Sequence, residues 1–457
     1  MKRLQPLVGV LLLVGALAAA TYADRELAPP AYESGTDGPA VSGSWLCPHG
    51  GGPEGWEVLL QVANPGPGVA TVRVRSLSAE RPSDVETLQV EPGAFARVSV
   101  PADGRGRSSM VEWFGQWVAV GWVAHAGGGE GGVAAEPCAE SAGDRWFLPD
   151  GSTEIEGNEE FVVVMNPFSR EAVFSLSLLS ERKEPVQQGE LTDVVLKPFR
   201  SAAFHLNDVV LGERTVSTLL EVSVGRVASA SLGVSGTGGI RSALGYLGQP
   251  PSTLTFPGGA DAGRTELIVM SAGAEERAER VELAGEILGS DGAVPFAGLA
   301  EASLPSGSAR TFPATTAGAS AVRLSAIGDD VGAVRRTYGV VSDQAAVTGA
   351  EPAATWVVLP TVAGAPALPG LVLANPGTEP AVITLSYLQP GPTTTIQVTV
   401  QPGTTLQAPK DFRLLAPEVG VLAAASSGTF VPAAVSYSLG REGLAAFAAS
   451  LGIPLPA

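Results

Sequence analysis

Short apolar runs, separated by Gly, Pro, Asn and Asp, fill the chain from Trp45 onward. Three of them, LLQVANP, VVVMNP and LVLANP, end in Asn64-Pro65, Asn166-Pro167 and Asn375-Pro376. The residue before a proline is pushed out of helical geometry into an extended one. Asn also bonds its own backbone two residues on and starts a turn. Each pair therefore predicts a strand end followed by a reversal. Eight residues beyond each Asn stands Val72, Phe174 or Ile383. Around them the pattern alternates: Val72 and Val74 against Arg73 and Arg75, Phe174, Leu176 and Leu178 against Ser175 and Ser177, Ile383, Leu385 and Tyr387 against Thr384 and Ser386. Period-two alternation predicts a strand with one buried and one wet face.

A second anchor follows. Val90-Glu91-Pro92-Gly93, Leu196-Lys197-Pro198-Phe199, Leu304-Pro305-Ser306-Gly307 and Val400-Gln401-Pro402-Gly403 each sit between two strand-like runs and predict hairpin turns, with proline pre-setting the backbone angle. Each unit then closes on an alternating strand: VAVGWVA from Val118, VASASLGV from Val227, AVRRTYGV from Ala333 and AAVSYSLG from Ala433. The opening runs WFLP, LTFP and WVVLP place Pro149, Pro257 and Pro360 at spacings of 108 and 103. The third unit is the divergent one. LIVMSA from Leu267 lacks the Asn-Pro pair, and its next strand, with Val281 and Leu283, comes two residues late.

A repeat of about 100 residues with about seven short strands predicts an all-β chain of tandem immunoglobulin-like sandwiches, about four in number. A β-propeller is the rival, because each unit could divide into two blades; against it, the halves of a unit do not resemble each other. The expected domains are 1–23, a signal peptide or membrane anchor; 24–44, a spacer; and β repeats at 45–142, 143–250, 251–350 and 351–457. Helical pattern is weak, and Arg441 to Leu451 is the best short stretch.

Composition narrows the function. Net charge is −18, and such a surface repels phosphate backbones, so nucleic-acid binding is not expected. Gly and Pro, 57 and 36 residues, are spread as turn punctuation, which favours short strands over disorder. Lys2 and Arg3 precede an apolar run from Leu7 to Ala20, an export signal. Residues 7–23 are just long enough to remain as an anchor, so the protein is expected outside the cytoplasm, either secreted or anchored to the plasma membrane through that segment alone.

Cys47 and Cys138 bracket the first unit, and an exported protein makes a disulfide the expected reading. No C-x-x-C motif is present. A metal set from Cys47, His49, His125 and Cys138 competes with the disulfide, and His49 follows Pro48 in a Gly-rich loop expected to be mobile. The acidic loop from Asp150 to Glu160 could offer calcium oxygen ligands, but without EF-hand spacing it reads as a solvated turn. No G-x-S-x-G elbow or phosphate loop accompanies the three histidines, so neither a catalytic constellation nor a cofactor is expected. Tryptophans concentrate in the first unit, where Trp45, Trp56 and Trp117 form a candidate glycan or protein contact beside the default reading as core.

The W-x-x-P opening, the apolar strand ending in Asn-Pro, the Pro-Gly turn and the closing strand before a Gly-rich loop resemble bacterial envelope repeats of the "WYFAEG…ANPG" kind. The layout of one N-terminal hydrophobic segment, four units and a cysteine pair in the first is similar to an uncharacterised actinobacterial family of exported envelope proteins. That resemblance covers nearly the whole chain and brings no activity, cofactor or catalytic residue. It implies an envelope protein or glycan as partner, and a gene neighbourhood with a membrane glycosyltransferase. The expectation is a non-catalytic envelope scaffold or adhesion protein on a β-rich stalk. The alternative is an accessory or glycan-binding subunit in envelope polysaccharide assembly.

Overall fold

The computed structural model describes residues 42–80, 82–127, 130–154, 157–181, 184–236, 238–259, 264–273, 280–300, 302–316, 318–327, 330–339, 344–361, 367–389, 394–408, 419–439 and 445–456. The apolar segment 7–23 lies outside them. Residues 42–44, expected as spacer, already belong to a strand, Ser42–Cys47. Among the described residues there are 35 strands, three short 3-10 turns and no α-helix. No helix there is long and apolar enough to cross a membrane.

The strands pair antiparallel into eight sheets. Along the chain they fall into four sets, spanning Ser42–Pro137, Arg145–Leu247, Thr253–Thr348 and Thr355–Pro454. With strands counted within a set, the two sheets read one-six-three-four and five-two-seven-eight in every set. The third set keeps this order despite its missing Asn-Pro pair, and only adds a short hairpin strand, Gly292–Pro295. In an immunoglobulin constant domain the seventh strand pairs with the sixth. Here the seventh crosses to the second, and the first strand takes the place beside the sixth.

The two sheets of a set have different burial. The third strand of the first set alternates as expected: Val72 and Val74 are buried and Arg73 and Arg75 half-buried in Ala70–Leu77. In the second set Ser177, expected wet, is buried instead. Seventh strands do not alternate. Ala119–His125 and Ala228–Val234 are buried on both faces almost throughout. The face expected to be wet is dry as well, because it meets a neighbouring set. A Cβ added at Gly121 would stand 2.8 Å from Leu359 Cδ1 of the fourth set. The continuous apolar second strands, such as Glu159–Asn166, have the same cause.

The eighth strands, Val133–Pro137, Ile240–Leu244, Gln344–Thr348 and Ala445–Leu451, explain the arrangement. That of the first set packs against those of the second and fourth, and that of the third packs against the same two. The sets therefore close into a ring and do not form a linear stalk. Ala134, Ala135, Ala243, Ala345, Ala346, Ala448 and Ala449 are buried there, small enough for backbones to approach. Apolar seams run all the way round. Phe161, Val163, Leu232 and Ile240 of the second set, and Val357 and Leu359 of the fourth, share a core with the first. Ala243 packs with Ile268, Val334 and Ala346, and Ala345 and Val347 pack with Val372 and Phe447.

The stretch read as a short helix is thus corrected. Residues 440–444 lie outside the described residues, and Ala445–Leu451 is a strand at the edge of its sheet, packed at the ring axis. Alanine and leucine favour a helix by only tenths of a kcal/mol per residue, about what one tertiary contact overrides.

The Pro-Gly turns are also corrected. They are not hairpins, because the fourth strand pairs with the third while the fifth pairs with the second. Each turn carries the chain from one sheet to the other. Its corner residue has positive φ: Gly93 (65°), Phe199 (52°), Gly307 (72°) and Gly403 (65°). The Asn-Pro anchors hold these corners. Asn64 Nδ2 donates to the carbonyls of Gly68 (2.8 Å), Val90 (2.9 Å) and Glu91 (3.2 Å). Asn166 Nδ2 donates to Arg170, Leu196 and Lys197 at 2.7, 3.1 and 3.2 Å. Asn375 Nδ2 donates to Glu379 and Val400 at 2.8 and 3.0 Å. In each case the Asn Oδ1 accepts the amide two residues on, from Gly66, Phe168 or Gly377. The two repeated motifs are two halves of one clamp. Asn166→Ala should leave buried carbonyls unpaired at a cost of about 2–3 kcal/mol, measured by chemical denaturation, and a loss under ~0.5 kcal/mol would deny the clamp its role.

Candidate functional site

The expected disulfide is formed: Cys47 and Cys138 are joined with Cα atoms 4.5 Å apart. It ties the first strand to the residues after the eighth, beside the Leu46–Ala139 bridge. The cysteines are therefore not metal ligands. His49 is not in a mobile loop either. It is fully buried between the Gly50 carbonyl (2.5 Å) and Ser109 Oγ (3.0 Å). Burial lowers its pKa to about 4, so it is neutral at pH 7. Among the described residues, no group of three His, Cys, Asp or Glu side chains is placed to hold a metal ion.

The tryptophans divide. Trp45 is 2% exposed, and its Nε1 donates to the Val118 carbonyl at 2.7 Å. Trp146 and Trp356 make the same bond to Val227 and Phe430. These indoles pin the first strand to the head of the seventh. Trp117 is half-buried, edge-on to Trp45 at 6.0 Å. Trp56 donates to Glu130 Oε2 at 2.7 Å, and the Arg105 guanidinium lies 5.2 Å over its ring and 5.1 Å from that of Phe161. Arg105 also reaches Glu159 at 3.3 Å, so Trp56 belongs to the seam between the first and second sets.

The acidic loop is a second correction. Asp150 and Glu160 are buried, not solvated. Asp150 Oδ2 accepts from Arg241 Nε at 2.8 Å, and Oδ1 accepts from Arg336 Nε and Nη2 at 3.0 and 2.5 Å. Glu160 pairs with Arg241. Burial raises Glu160 to about 7 against the pull of Arg241. Arg336 belongs to the third set, so this network joins two sets.

Where the ends of the four eighth strands meet, a cleft of about 310 Å³ opens. Every set contributes: Trp45 and Glu140 from the first, Trp146 and Tyr246 from the second, Thr348 from the third, Ile453 from the fourth. The lining is mostly apolar. Tyr246 is fixed, its hydroxyl donating to the Ala333 carbonyl (2.6 Å) and accepting from the Gly349 amide (2.7 Å). Glu140 is exposed at the rim.

Glu136, on the first set's eighth strand, is the residue that sequence reasoning missed. It is 2% exposed, and neither carboxylate oxygen has a hydrogen-bond partner among the described residues. Burial raises its pKa well above 4.5; the Leu244 backbone offsets part of this, and the Asp150 charge adds to it. Its field also reaches Tyr246. The only signal was a charge inside the small apolar run VAAEP. A group whose folded pKa is raised destabilises as pH rises above its unfolded value, by about 1.4 kcal/mol per unit until the folded value is reached. Glu136→Gln should therefore match the parent near pH 4 and become steadily more stable than it as pH rises toward 7. Urea titrations at both pH values check this, and an equal difference at both would contradict it.

A family model described as a family of unknown function (DUF5719) matches residues 102–346. No curated protein matches the chain. Among solved structures, one titled Crystal Structure of Thermotoga maritima 1070 is 20% identical over 24% of this chain and 97% of its own, with a TM-score of 0.21. A tetra-tandem repeat from the extending region of a large adhesion protein is 13% identical over 86% of this chain and 93% of its own, with a TM-score of 0.09. Neither score supports an argument about shape or role.

Proposed function

The chain belongs to the DUF5719 family, a family of unknown function, and from that premise we propose a non-catalytic, exported protein of the cell envelope that serves as a scaffold or adhesion-type module. In this reading each strand set is an immunoglobulin-like sandwich, near 45–142, 143–250, 251–350 and 351–457. Residues 1–23 direct export and either leave with cleavage or stay as a membrane anchor. One observation carries the reading. The cluster of buried charges that could do chemistry together, Asp150, Glu160, Arg241 and Arg336, is committed to ion pairs within the second set and between it and the third, which leaves Glu136 as a lone carboxylate. What remains open to a partner is a rigid ring and its axial cleft.

The test is a deletion in the native host, complemented with full-length chains. Glu136→Gln and Tyr246→Phe should complement fully, and Asn166→Ala only in proportion to folded protein. Loss of complementation by either near-isosteric change, with folding intact, would point to chemistry and end the non-catalytic reading.

A second reading, an accessory or glycan-binding subunit working with a membrane glycosyltransferase, is favoured by the aromatic residues Trp45, Trp146 and Tyr246 at the cleft. It moves the glycan from a Trp45, Trp56 and Trp117 face to the ring axis. Binding of cell-wall oligosaccharides to the intact chain, lost in Tyr246→Ala but not Trp56→Phe, would support it.

A further inference from the structure

Several buried carboxylates elsewhere in the ring have arginine partners. Asp150 has Arg241 and Arg336, Glu266 has Arg214 and Arg264, and Asp330 has Arg145. The two carboxylates beside the axial cleft, buried Glu136 and exposed Glu140, do not. Glu140 stands at its rim, and Glu136 directly precedes Pro137, which lines it. Neither makes an ion pair among the described residues.

We propose that the axial cleft receives a basic side chain, lysine or arginine, with an adjoining apolar residue, presented by a partner polypeptide. This rests on the scaffold reading above and names its docking point. The size fits: about 310 Å³ is at the small end of ligand sites, room for one long side chain and part of a neighbour. The lining fits the aliphatic stem of such a side chain, which covers apolar surface while its charged head stays at the rim. Glu140 supplies the opposite charge there, where the apolar walls weaken solvent screening. The net charge of −18 draws a basic partner toward the surface and disfavours an acidic one.

Calorimetric titration of the full chain with two blocked tripeptides, acetyl-Leu-Arg-Leu-amide and acetyl-Leu-Gln-Leu-amide, tests this. The parent should bind the arginine peptide about tenfold more tightly. In Glu140→Gln that preference should vanish while the glutamine peptide binds as before. Equal binding of both peptides by the parent, a preference that survives Glu140→Gln, or no heat from either up to about 5 mM overturns the proposal. Saturation by a neutral cell-wall oligosaccharide with neither peptide binding overturns it in favour of the glycan reading. A failed titration alongside full complementation removes this docking point and leaves the scaffold standing.

Discussion

Asp150→Ala is expected to cost about 3–5 kcal/mol, the range for removing one partner of a buried pair. Its carboxylate is fully buried and serves two guanidiniums at once, Arg241 of its own set and Arg336 of the third. Without it, two buried positive charges face a single carboxylate, Glu160, whose own burial favours protonation near neutral pH. The guanidiniums cannot leave easily. A Cβ on Gly233 would sit 2.3 Å from Arg241 Nη1, which shows how closely the backbone is moulded to that side chain. Burial alone would raise the pKa of Asp150, but the charges of Arg241 and Arg336 outweigh it and hold the group below 3.8. A depressed pKa contributes stability above the unfolded value and loses it as pH falls through the folded one. The cost of Asp150→Ala should therefore be full at pH 6 and shrink below about pH 4. Glu136 acts with the opposite sign. Urea unfolding of the two proteins across that range is the measurement, and a loss below ~1 kcal/mol at pH 6 would show that the seam does not depend on the network.

Opening the disulfide should have a comparable effect. Cys47 and Cys138 are 91 residues apart, and the loop-entropy model gives about 4–5 kcal/mol for a loop of that size. In the second and fourth sets the matching joint is a short ninth strand, Tyr246–Leu247 or Ile453–Pro454, beside the first. In the first set a single bridge, Leu46–Ala139, stands there. The third set also has a single bridge there, Thr255–Ala350, and no covalent link; in the first set the disulfide reinforces a joint that the second and fourth sets make with a ladder. The double substitution Cys47→Ser, Cys138→Ser should unfold about 4 kcal/mol earlier. Reductant should bring the parent to the same level and leave the double variant unchanged. Because Cys138 lies in the cleft wall, cleft binding should weaken in both cases. Equal stability of oxidised and reduced parent would remove the staple from the account.

The local structure was readable because turn chemistry is local. Asn64, Asn166 and Asn375 announced strand ends, and the prolines after them excluded helix. What they could not announce is the partner of each amide, some 25 to 30 residues away at the next corner. Hairpins were expected for the same reason: the sequence shows a tight turn, but not which sheet the chain enters after it. The ring was hidden in a pattern open to two readings. VASASLGV alternates apolar residues with Ser and Gly, which looks like dry against wet until Ser229 and Ser231 are seen bonding backbone carbonyls in a buried layer. Ala445–Leu451 looked helical because its alanines suit a helix as well as a crowded axis. The cleft was not legible at all, since Glu140, Tyr246, Thr348 and Ile453 come from four sets and meet only when the ring closes.

Closure of the ring is the claim on which the seams, the axis and the cleft all depend. Small-angle scattering from residues 41–457, which form one compact unit, tests it most directly. A closed body of that length should give a radius of gyration of about 22 Å and a distance distribution with one symmetric peak. A radius far above that value, with the long skewed tail of four modules in a row, would contradict it.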